Sequence, residues 1–341
     1  MLRYTSFLPI TCFLFLLGCD SGNGSPGTTS DPETPLSLAE LDRRILAEPS
    51  NAVLYVQRAK FHEAHDSIRA AIGDWNRAIL LDSTSAVWRI GLGDLYYRKV
   101  DLPKAEAQFT KAVALAPDST EARFKLAEIR LVQGEYEAAM QLTNEALKLD
   151  DQNARGYFLK GWIHGEAGDT TLAISSYRTA VERDRDLYEA YIALGLIHAA
   201  RKDPLAMQYY NSAVELRPNS VEAWYDKGMF AQDSGQDSIA LACYARIKEI
   251  DPKNATAWYN TGFVLMEHLD RVADARKEFA RAIAVLPTYS QAYFNRGLTY
   301  ELEGSLDSAL LDYKRALALR PDLTEAAEGL DRLQIKGVKV R

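Results

Sequence analysis

The sequence predicts an all-α protein, an α-α superhelix of about eight stacked helical hairpins with a capping helix at each end. Three observations carry that prediction. Ala71, Ala105, Ala139, Ala173, Ala206, Ala240, Ala275 and Ala309 follow one another at spacings of 34, 34, 34, 33, 34, 35 and 34 residues. Each is preceded by a small residue (Ala59, Gly93, Ala127, Gly161, Gly195, Gly228, Gly262, Gly297). Each is followed four positions later by a large aromatic (Trp75, Phe109, Tyr177, Tyr210, Tyr244, Phe279, Tyr313), except in the third unit, which has Thr143. Prolines close many units, at Pro117, Pro218, Pro252, Pro287 and Pro321. A unit of this size has no interior of its own. It buries its apolar face only against its neighbours, which yields an extended binding surface rather than a catalytic pocket.

At the N-terminus, Arg3 precedes an apolar run from Phe7 to Leu17. That run falls short of the roughly 20 apolar residues a membrane-spanning helix needs, and it has the layout of a secretory signal peptide. Leu16-Leu17-Gly18-Cys19 resembles the bacterial lipobox. The resemblance implies removal of residues 1–18 as a lipoprotein signal peptide and lipidation of Cys19. Residues 19–35 would then be the lipidated cysteine and a flexible tether. Its polar sequence, DSGNGSPGTTSDPETP, is expected to be disordered, with a reach on the order of 20–25 Å. The expected location is the bacterial cell envelope, lipid-anchored, with the periplasmic face of the outer membrane favoured over the inner membrane.

Residues 36–51 predict an N-terminal capping helix built on Leu38, Leu41, Ile45 and Leu46, ahead of Pro49. Eight units follow over 52–323: 52–85, 86–119, 120–153, 154–187, 188–220, 221–254, 255–289 and 290–323. Within each, the small residues let paired helices approach and the aromatics fill the space beside them, at the three- and four-residue spacings of one helix face. Gly134, Gly168, Gly235 and Gly304 mark the turn between helices, where a left-handed residue is needed. The late prolines deny the second helix a further turn. Asp66-Ser67, Asp82-Ser83, Asp118-Ser119, Asp169-Thr170, Asp237-Ser238 and Asp307-Ser308 read as helix N-caps. Residues 324–341 predict a C-terminal capping helix carrying Ala326, Ala327, Leu330 and Leu333, then a frayed tail from Lys336.

These columns resemble the tetratricopeptide repeat. The sixth unit reads Trp224, Gly228, Ala240, Tyr244, Pro252, and the eighth reads Tyr293, Gly297, Tyr300, Ala309, Tyr313, Ala316, Pro321. Ser83, Asp151 and Arg185 replace the closing proline in their units, and Ile247 replaces an alanine. The resemblance implies a solenoid that binds proteins or peptides in a concave groove lined by the first helix of each unit. Carried onto this sequence, its inward positions give Phe124, Phe158, Trp162, Ile192, Leu196, Tyr225, Met229, Tyr259, Phe263, Phe294 and Leu298, rimmed by Glu166, Glu189, Glu222, Asp233, Glu267 and Glu301. The expected partner is an amphipathic segment with basic groups, and self-association through the same groove is a further option. The lysine and asparagine that grip a C-terminal carboxylate in chaperone-tail repeats are absent from the corresponding positions. Asn260 and Asn295, at the sixth position of successive units, are placed to hold a ligand backbone.

Composition narrows the remaining functions. A formal net charge of −7 argues against nucleic acid. With Cys12 in the leader and Cys19 lipidated, Cys243 alone remains and is expected to be a packing group. The one metal-like cluster, His62-Glu63-Ala64-His65, is a residue short of the zinc-protease spacing. A metal-dependent enzyme built on His62 and His65 is thus the minor alternative to a non-enzymatic scaffold, for which no cofactor is expected.

Overall fold

A computed structural model describes residues 36–340, and among these all regular structure is helical. The predicted leader, Cys19 and the tether lie outside the described residues. The chain divides into two compact units, split between Asp151 and Gln152. Unit 1 holds α1 (Leu38–Ala47), α2 (Ala52–Ala64), α3 (Ile68–Leu81), α4 (Ala86–Arg98), α5 (Leu102–Leu115), α6 (Thr120–Val132) and α7 (Tyr136–Leu149). Unit 2 holds α8 (Ala154–Glu166), α9 (Thr170–Arg183), α10 (Tyr188–Ala200), α11 (Leu205–Leu216), α12 (Val221–Asp233), α13 (Asp237–Ile250), α14 (Ala255–Glu267), α15 (Val272–Val285), α16 (Ser290–Leu302), α17 (Leu306–Leu319) and α18 (Thr324–Ile335). From α2 to α17 consecutive helices pair as hairpins. None of the described helices is long and apolar enough to cross a membrane.

The hairpins close on one steric fit. A Cβ added to Gly93, Gly161, Gly195, Gly228, Gly262 or Gly297 would come closer than 3.0 Å to the ring of Phe109, Tyr177, Tyr210, Tyr244, Phe279 or Tyr313, respectively. Six hairpins thus press an aromatic from the second helix flat onto bare backbone of the first, at the density expected of a protein interior. The other two solve the same problem differently. The third pairs Ala127 with Thr143, giving up ring volume where a methyl occupies the glycine site. In the first, Ala59 takes that site and the Trp75 ring meets Gly91 of α4.

Irregular spacings leave this fit intact. The shortened repeat gives up its residue at the start of α11, where Pro204 opens the helix and Ala206 N–H bonds to the Asp203 carbonyl. The lengthened one takes up its extra residue at the end of α14, where Arg271 N–H reaches back to the Leu265 carbonyl. Tyr210 and Phe279 still meet their glycines.

Helix ends follow two rules. First helices are capped by side chains: Asn51, Ser85, Ser119, Asn153, Ser220 and Asn254 each accept a backbone N–H from the first turn. Second helices are entered through a left-handed residue. Gly134, Gly168, Gly235 and Gly304 have positive φ as anticipated, but Asp66, Val100, Lys202 and Asp270 do the same work without glycine. For the β-branched Val100 that conformation is strained. The expected Asp-Ser/Thr caps hold at Ser119 and Asp169, and Asp82 closes a turn onto Thr84. Asp66 is instead the turn residue, Ser67 makes no side-chain cap bond, and Asp237 and Asp307 lie inside the first turns of α13 and α17.

Both capping helices form. Leu41 and Ile45 of α1 are buried, but Leu46 is 84 % exposed because it falls off that stripe. At this end Arg58 bridges Asp42 of α1 and Asp74 of α3, each at 2.7 Å. At the other end, Glu301 of α16 is only 7 % exposed. It accepts hydrogen bonds from Tyr313 Oη at 2.7 Å, Arg332 Nη2 at 3.0 Å and Lys336 Nζ at 2.9 Å. The tail is therefore not frayed from its first residue: Lys336 is tied to Glu301, and Val338 N–H bonds to the Leu333 carbonyl. Burial acts to raise the Glu301 carboxyl, but the bonds from Arg332, Lys336 and Tyr313 outweigh it and hold the group down at about 2.

Two predictions follow from this packing. Gly262→Ala is expected to destabilise the protein by about 1–3 kcal/mol through overpacking against Phe279, read as a lowered urea midpoint. Because the folded pKa of Glu301 lies below its ordinary value, its stabilisation is present above about pH 4.3 and is lost as pH falls toward 2. Hydrogen exchange of α18 should accelerate through that window. Glu301→Gln should remove that response and cost about 1–3 kcal/mol at neutral pH.

Candidate partner-binding face

In unit 2 the first helices of successive hairpins present the residues singled out by their register. Phe158 and Trp162 stand one turn apart on α8, Leu196 on α10, Tyr225 and Met229 on α12, Tyr259 and Phe263 on α14, and Phe294 and Leu298 on α16. All except Leu196 are half-buried, and Leu196 is 48 % exposed. Several of the aromatics are seated against rings behind or beside them. The Phe158 ring lies 5.4 Å from that of Tyr177, and Phe294 stacks on Tyr313 at 5.8 Å. Tyr259 touches Phe263, Phe279 and Tyr289 at centroid distances of 6.5, 5.7 and 5.0 Å. Side chains held this way offer apolar area that loses little rotamer freedom on binding.

Two predicted members do not belong to this surface. Ile192 is 0 % exposed, sealed in a cluster with Tyr188, Ala206, Tyr210 and Ala213. Phe124 is 4 % exposed on α6. The fifth register position is core where its neighbours close over it, as they also do at Val56 and Ile90. The first helices of unit 1 are mixed instead, with exposed Lys60 and a Lys125–Asp94 ion pair at 2.7 Å beside exposed Val53 and Val87.

Glu166, Glu222, Asp233 and Glu267 are exposed acids of unit 2. Glu166 accepts from Trp162 Nε1 at 3.3 Å, and Glu189 pairs with Arg217 at 2.7 Å. The expectation that Glu301 joins this rim is corrected, since it is buried in the C-terminal clasp. Nor are the asparagines free for a ligand. Asn295 Nδ2 donates to Tyr259 Oη at 2.9 Å, and Asn260 hydrogen-bonds the Tyr225 hydroxyl, each reaching the preceding first helix. Burial raises both tyrosine hydroxyls. Register analysis missed Asp226, which holds the same sixth position one unit earlier; the run Asp226, Asn260, Asn295 was the available signal.

The histidine cluster is taken up by the fold. His62 Nε2 lies 3.7 Å from Asp74, and Glu63 accepts from Trp75 Nε1 at 2.7 Å. His65 stacks on Phe61 with centroids 4.1 Å apart. Among the described residues no group of three or more His, Cys, Asp or Glu is arranged to hold a metal ion. Cys243 is buried beside Gly228, and burial pushes its thiol up to about 11, so the reactive thiolate is suppressed.

Family profiles described as tetratricopeptide repeat match residues 51–119, 90–154, 158–221, 221–254 and 290–323, together well over half of the chain. Human DnaJ homolog subfamily C member 7 is 28 % identical over 92 residues, 27 % of this chain and 19 % of that protein. Human protein O-mannosyl-transferase TMTC3 is 24 % identical over 218 residues, 63 % of this chain and 20 % of that protein. The chain thus spans about a fifth of the length of these curated relatives. The crystal structure of the C-terminal part of a TPR repeat-containing protein from Cytophaga hutchinsonii superposes with a TM-score of 0.60 at 19 % identity, covering 70 % of this chain and 98 % of that one. At that identity the likeness is one of fold.

Burial separates core from contact residues and predicts how each responds to truncation. Ile192→Ala is expected to cost about 2–5 kcal/mol. Leu196→Ala, one turn along on the same helix, should cost less than about 1 kcal/mol. Urea denaturation of the two variants checks the distinction.

Proposed function

This chain belongs to the tetratricopeptide-repeat family, and we propose that it is a non-enzymatic scaffold that holds protein partners on the first-helix face of unit 2. The observation that carries this reading is the apolar row from Phe158 and Trp162 through Leu196, Met229 and Phe263 to Leu298, left open to solvent on well-seated side chains. Contiguous apolar area of this kind marks interaction sites, and its aromatics are the residue types that dominate binding hot spots. Glu166, Glu222, Asp233 and Glu267 favour a partner segment with basic groups around an apolar stripe.

The same proposal places the protein in the bacterial cell envelope, attached by lipid on Cys19. Its support is the order of features in residues 1–35: one basic residue, an apolar run, Leu-Leu-Gly-Cys and a polar stretch. Attachment at a membrane raises the local concentration of partners there, which strengthens binding without any new contact. A second copy of the chain is the alternative occupant of the face, distinguished by mass.

Crosslinked capture from envelope extracts tests the binding reading. A consistent partner should be recovered by the parent protein and lost from a Trp162→Ala, Phe263→Ala variant of unchanged helical content. Recovery that survives the two substitutions means the face is misassigned, and a captured second copy means self-association. Radiolabelled palmitate should enter the parent protein and fail to enter Cys19→Ser.

A further inference from the structure

Asp226 breaks a pattern kept by its neighbours. It stands directly after Tyr225 on α12, where α14 has Asn260 and α16 has Asn295. Those asparagines are answered from the preceding first helix, by the hydroxyls of Tyr225 and Tyr259. The corresponding residue ahead of Asp226 is Ile192 on α10, which has no hydroxyl to offer. Among the described residues no hydrogen bond or ion pair reaches the Asp226 carboxylate. The titratable groups acting with it are Tyr188 of α10, Tyr210 of α11, and Tyr225 and Glu222 of its own helix. Arg217 is engaged elsewhere, by Glu189 at 2.7 Å and over the Tyr188 ring at 4.0 Å. Lys227 lies over the Trp224 ring at 4.9 Å.

We propose that a partner supplies the missing donor: an amphipathic protein helix lays apolar side chains against Leu196, Met229 and Phe263 and directs one lysine or arginine to Asp226. This rests on the first-helix face of unit 2 being the binding site, and it adds which residue chooses the partner's charge. Asp226 is half-buried and has no protein partner, so its carboxylate is less well hydrated than one on the open surface, and a cation brought within hydrogen-bond reach gives it a charge-assisted bond it lacks in the free protein. The surrounding acids, Glu222 and Asp233 on the same helix, repel an acidic segment and draw in a basic one. Apolar contacts supply the area, and the single unpartnered carboxylate supplies the selection.

The charge state of Asp226 gives the interaction a pH dependence. Burial first, and Glu222 second, raise its carboxyl to about 7, while burial raises the Tyr188, Tyr210 and Tyr225 hydroxyls so that these stay neutral in the same range. A cation binds the ionised form. Affinity for a basic partner therefore rises with pH up to and through neutrality and levels off above it.

The test is selection from a displayed library of random 16-residue peptides on the full-length protein, its Asp226→Asn variant and its Trp162→Ala, Phe263→Ala variant. The parent protein should enrich apolar sequences at helical spacing with a lysine or arginine in the stripe, and Asp226→Asn should keep the spacing and lose the basic residue. The best peptide should bind Asp226→Asn at least about tenfold more weakly at pH 8, and should lose affinity for the parent protein between pH 8 and pH 6 but not for the variant. Apolar sequences indifferent to charge, enriched alike on parent and Asp226→Asn, overturn this inference and leave the face as a binding site. No enrichment, or enrichment that survives Trp162→Ala, Phe263→Ala, overturns both.

Discussion

Everything in this protein depends on an aromatic ring laid against a backbone that has no side chain. In six hairpins a glycine on the first helix receives a Phe or Tyr from the second, with no room for one more carbon. The contact fixes how close the two helices lie, and so where the next hairpin must start. Tyr313 shows the full form of the arrangement, pressed between Gly297 of its own hairpin and Gly329 of α18. Ala127 with Thr143 is a volume exchange around the same point, and where Ala59 fills the glycine site the Trp75 ring finds its bare backbone at Gly91 of α4 instead. The altered repeat lengths tell the same story, since α11 is shortened at its start and the connection from α14 to α15 is lengthened while the ring still meets its glycine.

That constraint explains why so much of the fold was legible in the sequence. Glycine, alanine and aromatic columns are the visible record of a steric requirement repeated eight times, so the hairpins and both caps could be placed before any coordinates. Side-chain environments were less legible. Register says which way Phe124 and Ile192 point, but whether a residue is core or surface depends on the size of what stands beside it, and neighbouring units differ there. Glu301 was read as a rim acid because its partners, Arg332 and Lys336, lie about one repeat further along the chain, beyond the reach of a local pattern. Asp226 escaped notice for the opposite reason, because its significance is a hydroxyl that Ile192 lacks.

The first-helix faces of the two units differ in chemistry although the backbone rule is shared. On unit 1 the ninth positions are Lys60, Asp94 and Glu128, with Asp94 paired to Lys125, and the exposed apolar residues of the first helices are no larger than valine. On unit 2 the same positions carry Trp162, Leu196, Met229 and Phe263, with exposed carboxylates on the same helices at Glu166, Asp233 and Glu267. Side chains that are not needed to set helix separation are free to vary, and the variation concentrates where solvent, or a visitor, meets the repeats.

Stacked, self-similar units carry an inherent hazard: the last one resembles an interior one, and nothing in a uniform array tells growth where to stop. Here the last described hairpin is marked by charge. Glu301 sits in a place that is uncharged in most of the other repeats, and it is neutralised by Arg332 of α18 and by Lys336 directly after it. Another molecule's first helix arriving at that site offers Arg58 already occupied by Asp42 and Asp74. At both clasps the charges are matched within the chain itself, so neither keeps an ion in reserve for an incoming molecule.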